Sequence, residues 1–375
     1  MTSYKAVIGL GFGDEGKGLV TDYLCSVSEN PIVVRFSGGQ QAGHTVWFED
    51  RKHTFSNFGS GTFRGAATVW MNSCTIDPIG ISREFKILKD LNTTPILYIH
   101  PECPVTTPYE IEKNQQDINY IHNGTCGVGV GCTWQREENN YHLRAKDLYN
   151  LSVLKIKLDL LAEYYGYTTP EIQRFYAAVQ SITKNPYIYI QQYTFGIHDD
   201  VIFEGSQGLL LDQEIGFFPH VTRSYTGSKM IWNYDPEYYL VTRAYQTRHG
   251  EGPMTNRDMD LNLTNNEHEN NQENKWQGCL RTSPLDMNLI KYAIQSDEYI
   301  LNSSYLNLII TCLDQLKPPY HYTLDQKEVK FNGPLSMSDG IRFIFNRSIR
   351  GSLVNTYCSY SKYSDDLKKA DEIDV

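Results

Sequence analysis

The chain holds 375 residues, 40% hydrophobic and 21% charged, with a formal net charge of −10. That composition fits a globular protein with room for one large core, and its acidity, without any run of Lys and Arg, argues against nucleic acid as a partner. No apolar stretch approaches the ~18 residues of a membrane span, and the eight cysteines form no C-x-x-C pair and read as reduced thiols.

The first strand is expected at residues 6–8, with no basic-then-apolar leader ahead of it, so the expected location is the cytoplasm. A glycine-rich turn, Gly9-Leu10-Gly11-Phe12-Gly13-Asp14-Glu15-Gly16-Lys17-Gly18, leads into a helix from residue 19. A strand-turn-helix junction aims backbone N–H groups and the positive end of a helix at one spot, which suits a phosphate. Two patterns fit the turn. Gly11-x-Gly13-x-x-Gly16 is a dinucleotide fingerprint, and Gly11-x-x-x-x-Gly16-Lys17 is a Walker-type loop without its final Ser or Thr. Asp14 and Glu15 would repel a bare pyrophosphate, whereas a magnesium triphosphate tolerates a carboxylate, with Lys17 reaching the β and γ phosphates. Arg35, at the end of the second expected strand (31–36), leaves a dehydrogenase only the NADP option.

The second strand runs into Ser37-Gly38-Gly39-Gln40-Gln41-Ala42-Gly43-His44-Thr45, read as a loop. The β-α-β unit predicts a mostly parallel sheet with loops gathered at its carboxyl edge. A lone histidine is more often structural than catalytic, but His44 on such a loop can approach a ligand as a general acid. Further on, strands are expected at 67–71 and 96–100, a helix at 82–91, a second glycine-rich loop at 123–131, and helices across 151–197. Strands follow at 201–204, at 240–245 and at 306–311, with a loop at 219–224 and a polar, mobile stretch at 263–276. No repeat or linker is evident, so 1–375 is read as one α/β domain with a helical insertion near 106–197.

Gly13-Asp14-Glu15-Gly16-Lys17-Gly18 together with the block from Arg35 to Thr45 resembles the adenylosuccinate synthetase family, whose patterns are G-D-E-G-K-G and R-x-x-G-G-x-N-A-G-H-T. The likeness continues through Phe203-Glu204-Gly205-Ser206-Gln207-Gly208, Pro219-His220-Val221-Thr222, Thr247-Arg248-His249-Gly250-Glu251-Gly252-Pro253, Arg281-Thr282-Ser283-Pro284-Leu285-Asp286 and Thr311-Cys312-Leu313-Asp314, in the family's order. The resemblance implies a single large α/β domain on a mostly parallel central sheet with helical insertions. It implies a homodimer and a two-step ligation. GTP (or ATP) phosphorylates the 6-oxygen of a purine nucleotide, with Mg²⁺ as cofactor, and the amine of aspartate then displaces the phosphate.

The roles implied by resemblance are specific. Asp14 is the base and a metal ligand, His44 donates to the 6-oxygen and phosphoryl group, Lys17 neutralises phosphoryl charge, and the Gly43 carbonyl contacts the metal. Gln207 and Thr222 hold the base and 5′-phosphate. Gly13, Glu15, Gly16, Gly18, Gln41, Thr45, Thr125 and Cys126 fall at nucleotide or phosphate contacts, Asp314 at the guanine reader, and Arg281 and Thr282 at the amino-acid site. Departures stand beside these matches. Gln41 replaces an asparagine, Cys126 a threonine, Val128 an arginine, Asn140 the arginine lent across the dimer, Cys279 an arginine near ribose and amino acid, and Cys312 a packing lysine. Residues 320–375 match poorly. A viral branch making 2-aminoadenylosuccinate from a guanine deoxynucleotide is the neighbouring reading; Asp14 favours an inosinate-like acceptor, while Asn140 and Cys279 favour a changed substrate. A nucleotide-binding homologue without turnover and an NADP oxidoreductase are the readings of other classes.

Overall fold

The computed structural model describes residues 2–118, 124–264, 276, 278–351 and 353–373. The chain begins with β1 (Ser3–Gly9), α1 (Lys17–Ser26) and β2 (Pro31–Arg35), then a hairpin of β3 (His44–Phe48) and β4 (Arg51–Phe55). Next come β5 (Ala67–Trp70), α2 (Pro78–Asp90) and β6 (Leu97–Ile99). The helices α3 (Pro108–Gln116), α4 (Val130–Glu138), α5 (Leu151–Tyr165) and α6 (Ile172–Thr183) precede β7 (Ile188–Ile190). The strands β8 (Asp200–Gly208), β9 (Glu237–Arg243), β10 (Tyr245–His249), β11 (Asn262–Leu263) and β12 (Leu280–Asp286) lead to α7 (Met287–Ser296) and α8 (Glu298–Asn302). The chain finishes through β13 (Leu306–Thr311), β14 (Leu316–Lys317), β15 (Tyr320–Leu324), β16 (Lys327–Phe331), α9 (Pro334–Asn346), β17 (Leu353–Cys358) and β18 (Lys368–Lys369).

Ten strands make the central sheet, in the order β18-β17-β13-β9-β1-β8-β2-β5-β6-β7. Every pairing in it is parallel except β17 with β18. Parallel sheets are covered on both faces, so their strands read as unbroken apolar runs. Ala6, Val7 and Ile8 in β1 and Leu308, Ile309 and Ile310 in β13 are fully buried on that account, each such aliphatic side chain contributing about 1.5–3 kcal/mol. The carboxyl ends of β1, β2, β8, β9 and β13 point the same way, and in open α/β sheets that edge is where ligands bind.

A smaller sheet, β10-β12-β15-β16, lies beyond this edge. It accounts for the first departure from the expected strand at 240–245. The chain leaves the central sheet after Arg243, the Ala244 N–H donates to the Thr311 carbonyl at 3.0 Å, and Tyr245 starts a strand of the other sheet. The second departure is the hairpin β3–β4, which takes in His44 and Thr45 from the end of the expected loop and continues through residues that had no expected element. Its alternate burial pattern is masked in the sequence by Trp47, Phe48 and Phe55 mixed with charges. Most of the polar stretch at 263–276, and Asn123 of the second glycine loop, lie outside the described residues. Among the described residues no helix is long and apolar enough to cross a membrane.

Candidate active site

At the carboxyl edge of the central sheet lies a cavity of about 780 Å³, walled by the first glycine loop, the start of β3, the ends of β8, β9 and β13, and the segment after β17. That volume falls in the range of small-molecule sites.

The glycine loop is built around one carboxylate. Glu15 is buried, and its carboxylate accepts the N–H groups of Gly11 (3.1 Å) and Gly13 (2.8 Å) and the Lys17 ammonium (2.6 Å). A Cβ at Gly9 or Gly208 would sit 2.3 or 2.2 Å from its oxygens, which is why both positions lack one. Burial resists its charge, but Lys17 and the loop N–H groups hold its pKa below the usual value. Glu15 therefore acts as an internal strut that orients donors, whereas the resemblance placed it among phosphate contacts; two anions would not share that position. Asp14, with φ of 63°, is turned toward the cavity. Burial raises its pKa, with the Arg243 guanidinium opposing and Glu15 reinforcing the shift. Gly16, at φ 94°, begins α1 without a side-chain cap, which leaves the first N–H groups of the helix available to an anion.

His44 stands against this helix start, its Cβ 2.8 Å from where a Cβ on Gly18 would be. Its Nδ1 is 2.6 Å from Oε1 of Glu204, which is fully buried in β8, and its Nε2 has no hydrogen-bond partner. Glu204 is also bonded by the Ser60 hydroxyl and N–H and faces Arg35 at 3.6 Å. Burial opposes its charge, yet His44 and Arg35 bring its carboxyl down to about 2. Burial lowers the His44 pKa against the pull of Glu204. Glu204 holds the ring through Nδ1, which leaves Nε2, without a partner among the described residues, for a ligand. Sequence reasoning quoted Glu204 within a motif and gave it no role. A signal was present: each is a charged residue closing an apolar run, Ile32-Val33-Val34 and Val201-Ile202-Phe203, and the fold makes the two register partners on adjacent strands.

Of the remaining expected residues, Gly13, Gly16, Lys17, Gly18, Gln41, Gly43, Thr45, Cys126, Gln207 and Asp314 all line the cavity. Both amide atoms of Gln41 are buried without partners. Cys126 of the second glycine loop lines the same cavity as the first loop, and burial with the Asp14 charge pushes its thiol up to about 12. Four expected residues are not part of the lining. Thr125 braces its own loop by donating to Asn114 (2.9 Å), and Thr222 N–H donates to the Leu211 carbonyl (2.8 Å). Thr282 is exposed opposite Thr247, and Arg281 donates to the carbonyls of Gly250 and Gly252. Arg243, His249, Ser359, Ser361 and Lys362 line the cavity without having been singled out. The last three come from the segment whose sequence match was poor. Among the described residues no three His, Cys, Asp or Glu side chains form a metal-binding group.

A sequence profile described as adenylosuccinate synthetase matches residues 6–340. The chain is 30% identical over 354 residues to the adenylosuccinate synthetase of Picrophilus torridus, covering 86% of this chain and 81% of that one. It is 28% identical to that of Thermoplasma volcanium, covering 87% and 80%. Its fold is similar to fully ligated adenylosuccinate synthetase from Plasmodium falciparum, with a TM-score of 0.76 at 19% identity over 97% of this chain and 98% of the other. It is also similar to the cyanophage S-2L succinoaminodeoxyadenylate synthetase bound to dGMP and dATP as an energy donor. That TM-score is 0.68 at 14% identity, over 99% and 96%.

Proposed function

The chain belongs to the adenylosuccinate synthetase family, and from that premise we propose that its cavity joins L-aspartate to a 6-oxopurine nucleotide of the inosinate type at the expense of GTP. The chain is a ligase that forms a C–N bond. The observation that carries the proposal is one arrangement: the Asp14 carboxylate and His44, whose Nε2 has no hydrogen-bond partner among the described residues, line one cavity beside an uncapped helix N-terminus.

A lactam oxygen is a weak nucleophile until the N1 proton leaves. Asp14, made more basic by burial, takes that proton. The freed electron pair shifts to the 6-oxygen, which attacks the γ-phosphorus as the diphosphate leaves. Lys17 and the N–H groups at the start of α1 balance charge on the phosphoryl oxygens. His44, oriented by Glu204 through Nδ1, stands beside the 6-oxygen and phosphoryl group and in its protonated form donates to them, with Glu204 stabilising the imidazolium. The amine of aspartate then adds at C6 and phosphate departs. The residues fit Mg²⁺: the Asp14 carboxylate and Gly43 carbonyl are hard oxygen donors, the sort that ion combines with substrate phosphates, and Asp14 carries a charge that burial disfavours. Bound there, Mg²⁺ would supply charge neutralisation of the triphosphate.

A guanine deoxynucleotide acceptor is the second reading. One feature favours it: Cys279 stands where the family carries an arginine near the ribose, and loss of that contact suits a 2′-deoxynucleotide. We further propose that 1–375 works as one unit, a homodimer in the cytoplasm, as the family resemblance implies. Phosphate release across IMP, dIMP, GMP and dGMP, with GTP or ATP and with or without aspartate, decides among these. Release that requires IMP, GTP and aspartate together is the expected result. Release in no combination would sink the ligase and leave a nucleotide-binding homologue.

A further inference from the structure

The glycine loop that carries Asp14 is pinned by side chains from three strands. Three successive carbonyls of the loop each accept a hydrogen bond. Gly13 takes one from the Thr247 hydroxyl in β10 (3.2 Å), Asp14 one from Nε–H of Arg243 at the end of β9, and Glu15 one from the Thr311 hydroxyl at the end of β13 (2.7 Å). A trans peptide points each carbonyl opposite to the N–H of the next residue, so three held carbonyls also fix the N–H groups of Asp14, Glu15 and Gly16. Of the three donors only Arg243 is charged.

Asp14 is the residue of this loop that most needs holding. Its φ of 63° lies in the left-handed region, which Gly13 and Gly16 occupy at no steric cost and an aspartate does not. Such a backbone persists only where the surrounding structure over-determines it.

Arg243 is itself fixed. It is buried, it is the register partner of Thr311 across β9 and β13, and it stands where the chain leaves the central sheet. Its Nη1–H donates to the Tyr245 hydroxyl at 2.8 Å, and that hydroxyl donates to Oε1 of Gln315 at 2.7 Å, in the turn after β13. Asp14, Arg243, Asp314 and Gln315 all line the cavity. The charge of Arg243 reaches the carboxylates of Asp14 and of Asp314, so the guanidinium acts on both ends of that space. A guanidinium carries its donors in a rigid planar fork. Here one arm meets the backbone of the glycine loop and another a phenol tied to the far turn.

We propose that Arg243 is a positioning residue for the reaction: it holds the Asp14 peptide in the left-handed turn that presents its carboxylate to the cavity, while Tyr245 and Gln315 hold Arg243. Arg243 bonds the backbone of Asp14 and not the reacting atoms, so its removal displaces the base without deleting it.

This inference rests on the reading of Asp14 as the base, and the test separates the two. Phosphate release from GTP with IMP and aspartate is followed in the full chain and in Arg243→Met, Arg243→Lys and Tyr245→Phe, with calorimetric binding of IMP and of GDP on the same samples. Arg243→Met is expected to lower kcat ~10²-fold, the cost of a small misplacement of a catalytic group. KM for IMP and for GTP, and both affinities, stay close to those of the unmodified chain. Arg243→Lys keeps the charge but cannot serve both partners with one planar fork, so it recovers part of the loss. Tyr245→Phe leaves the bond to Asp14 in place and removes the second anchor; it lowers kcat by less, again with KM unmoved, and it keeps the test open if Arg243→Met does not fold. A GTP KM that rises while kcat holds makes Arg243 a ligand of the donor and overturns the assignment. Joint loss of IMP and GDP binding makes its role merely structural and overturns it too, as does an unmoved kcat in Tyr245→Phe and in the Arg243 variants that fold. Each of these leaves Asp14 as the base. Full turnover in Asp14→Asn, or none in the unmodified chain, removes the base itself and this assignment with it.

Discussion

The two ends of the cavity are built on opposite principles. At the Asp14 end the groups sit on strands of the central sheet or on the segments that leave them, and the key polar groups are buried and paired: Glu15 with Lys17, Glu204 with His44 and Arg35. At the Asp314 end, turns separated by about fifty residues meet, and Lys362 sits against its neighbour Tyr363 and against Trp47, from a hairpin near the other end of the sequence. A buried charge without its partner is costly, so the first end tolerates little change. The second end is nearer to solvent, with Asp314 itself exposed.

Substitutions should make that contrast measurable. The largest effect belongs to Asp14→Asn, where turnover should fall at least ~10²-fold while the melting temperature rises. The sign follows from the raised pKa: folding favours the protonated carboxyl, so at neutral pH its charge opposes the folded state, and a neutral amide removes that cost. Phosphate release and a thermal melt check the two halves, and a variant that keeps full turnover would break the assignment of the base.

Glu204→Gln should destabilise the fold by about 3–5 kcal/mol, because it leaves Arg35 buried without its counter-charge. It should slow turnover as well. The pH dependence follows from the same group. Its folded pKa of about 2 lies below the unfolded value of 4.5, so its contribution is complete above 4.5 and is lost as pH falls toward 2. Urea melts between pH 5 and 3 should show that loss in the parent chain and much less of it in the variant. Gly9→Ala comes next. Its Cβ would meet the Glu15 carboxylate at 2.3 Å, so about 1–3 kcal/mol of stability should go, together with the position of Lys17. Denaturant midpoints report the first and GDP affinity the second.

The smallest effect is expected at the far end. Asp365→Asn loosens an exposed ion pair with Arg64 and should cost under ~1 kcal/mol, read as a modest rise in donor KM with acceptor KM unchanged. A larger loss there, or one shared by the acceptor, would mean that the two ends are not independent.

Much of the near end was legible from residues alone. The strands β1, β2, β8 and β13 announce themselves as apolar runs because both of their faces are covered, and five glycines crowded around Asp14, Glu15 and Lys17 mark a phosphate-binding turn. What escaped was the direction each side chain takes. Glu15 and Asp14 are adjacent acids that both line the cavity, yet the Glu15 carboxylate is engaged by Lys17 and two loop N–H groups, which the sequence does not show. Glu204 had no role until its register with Arg35 and its bond to His44 were seen. Thr125, Thr222, Arg281 and Thr282 were named from matching motifs and lie outside the cavity lining: Thr125 donates to Asn114, the Thr222 N–H to the Leu211 carbonyl, Arg281 to the Gly250 and Gly252 carbonyls, and Thr282 is exposed.

The sequence by itself determined the family, the parallel sheet at the core and the chemistry of the first loop, because local spacing dictates strand, turn and helix, and a turn carries its own donors. Only the tertiary structure decided which acid is available to a substrate, what orients His44, and which residues close the Asp314 end. Those are questions of partnership between segments up to three hundred residues apart, settled by register across the sheet and by burial, and neither is written in the neighbours of any one residue.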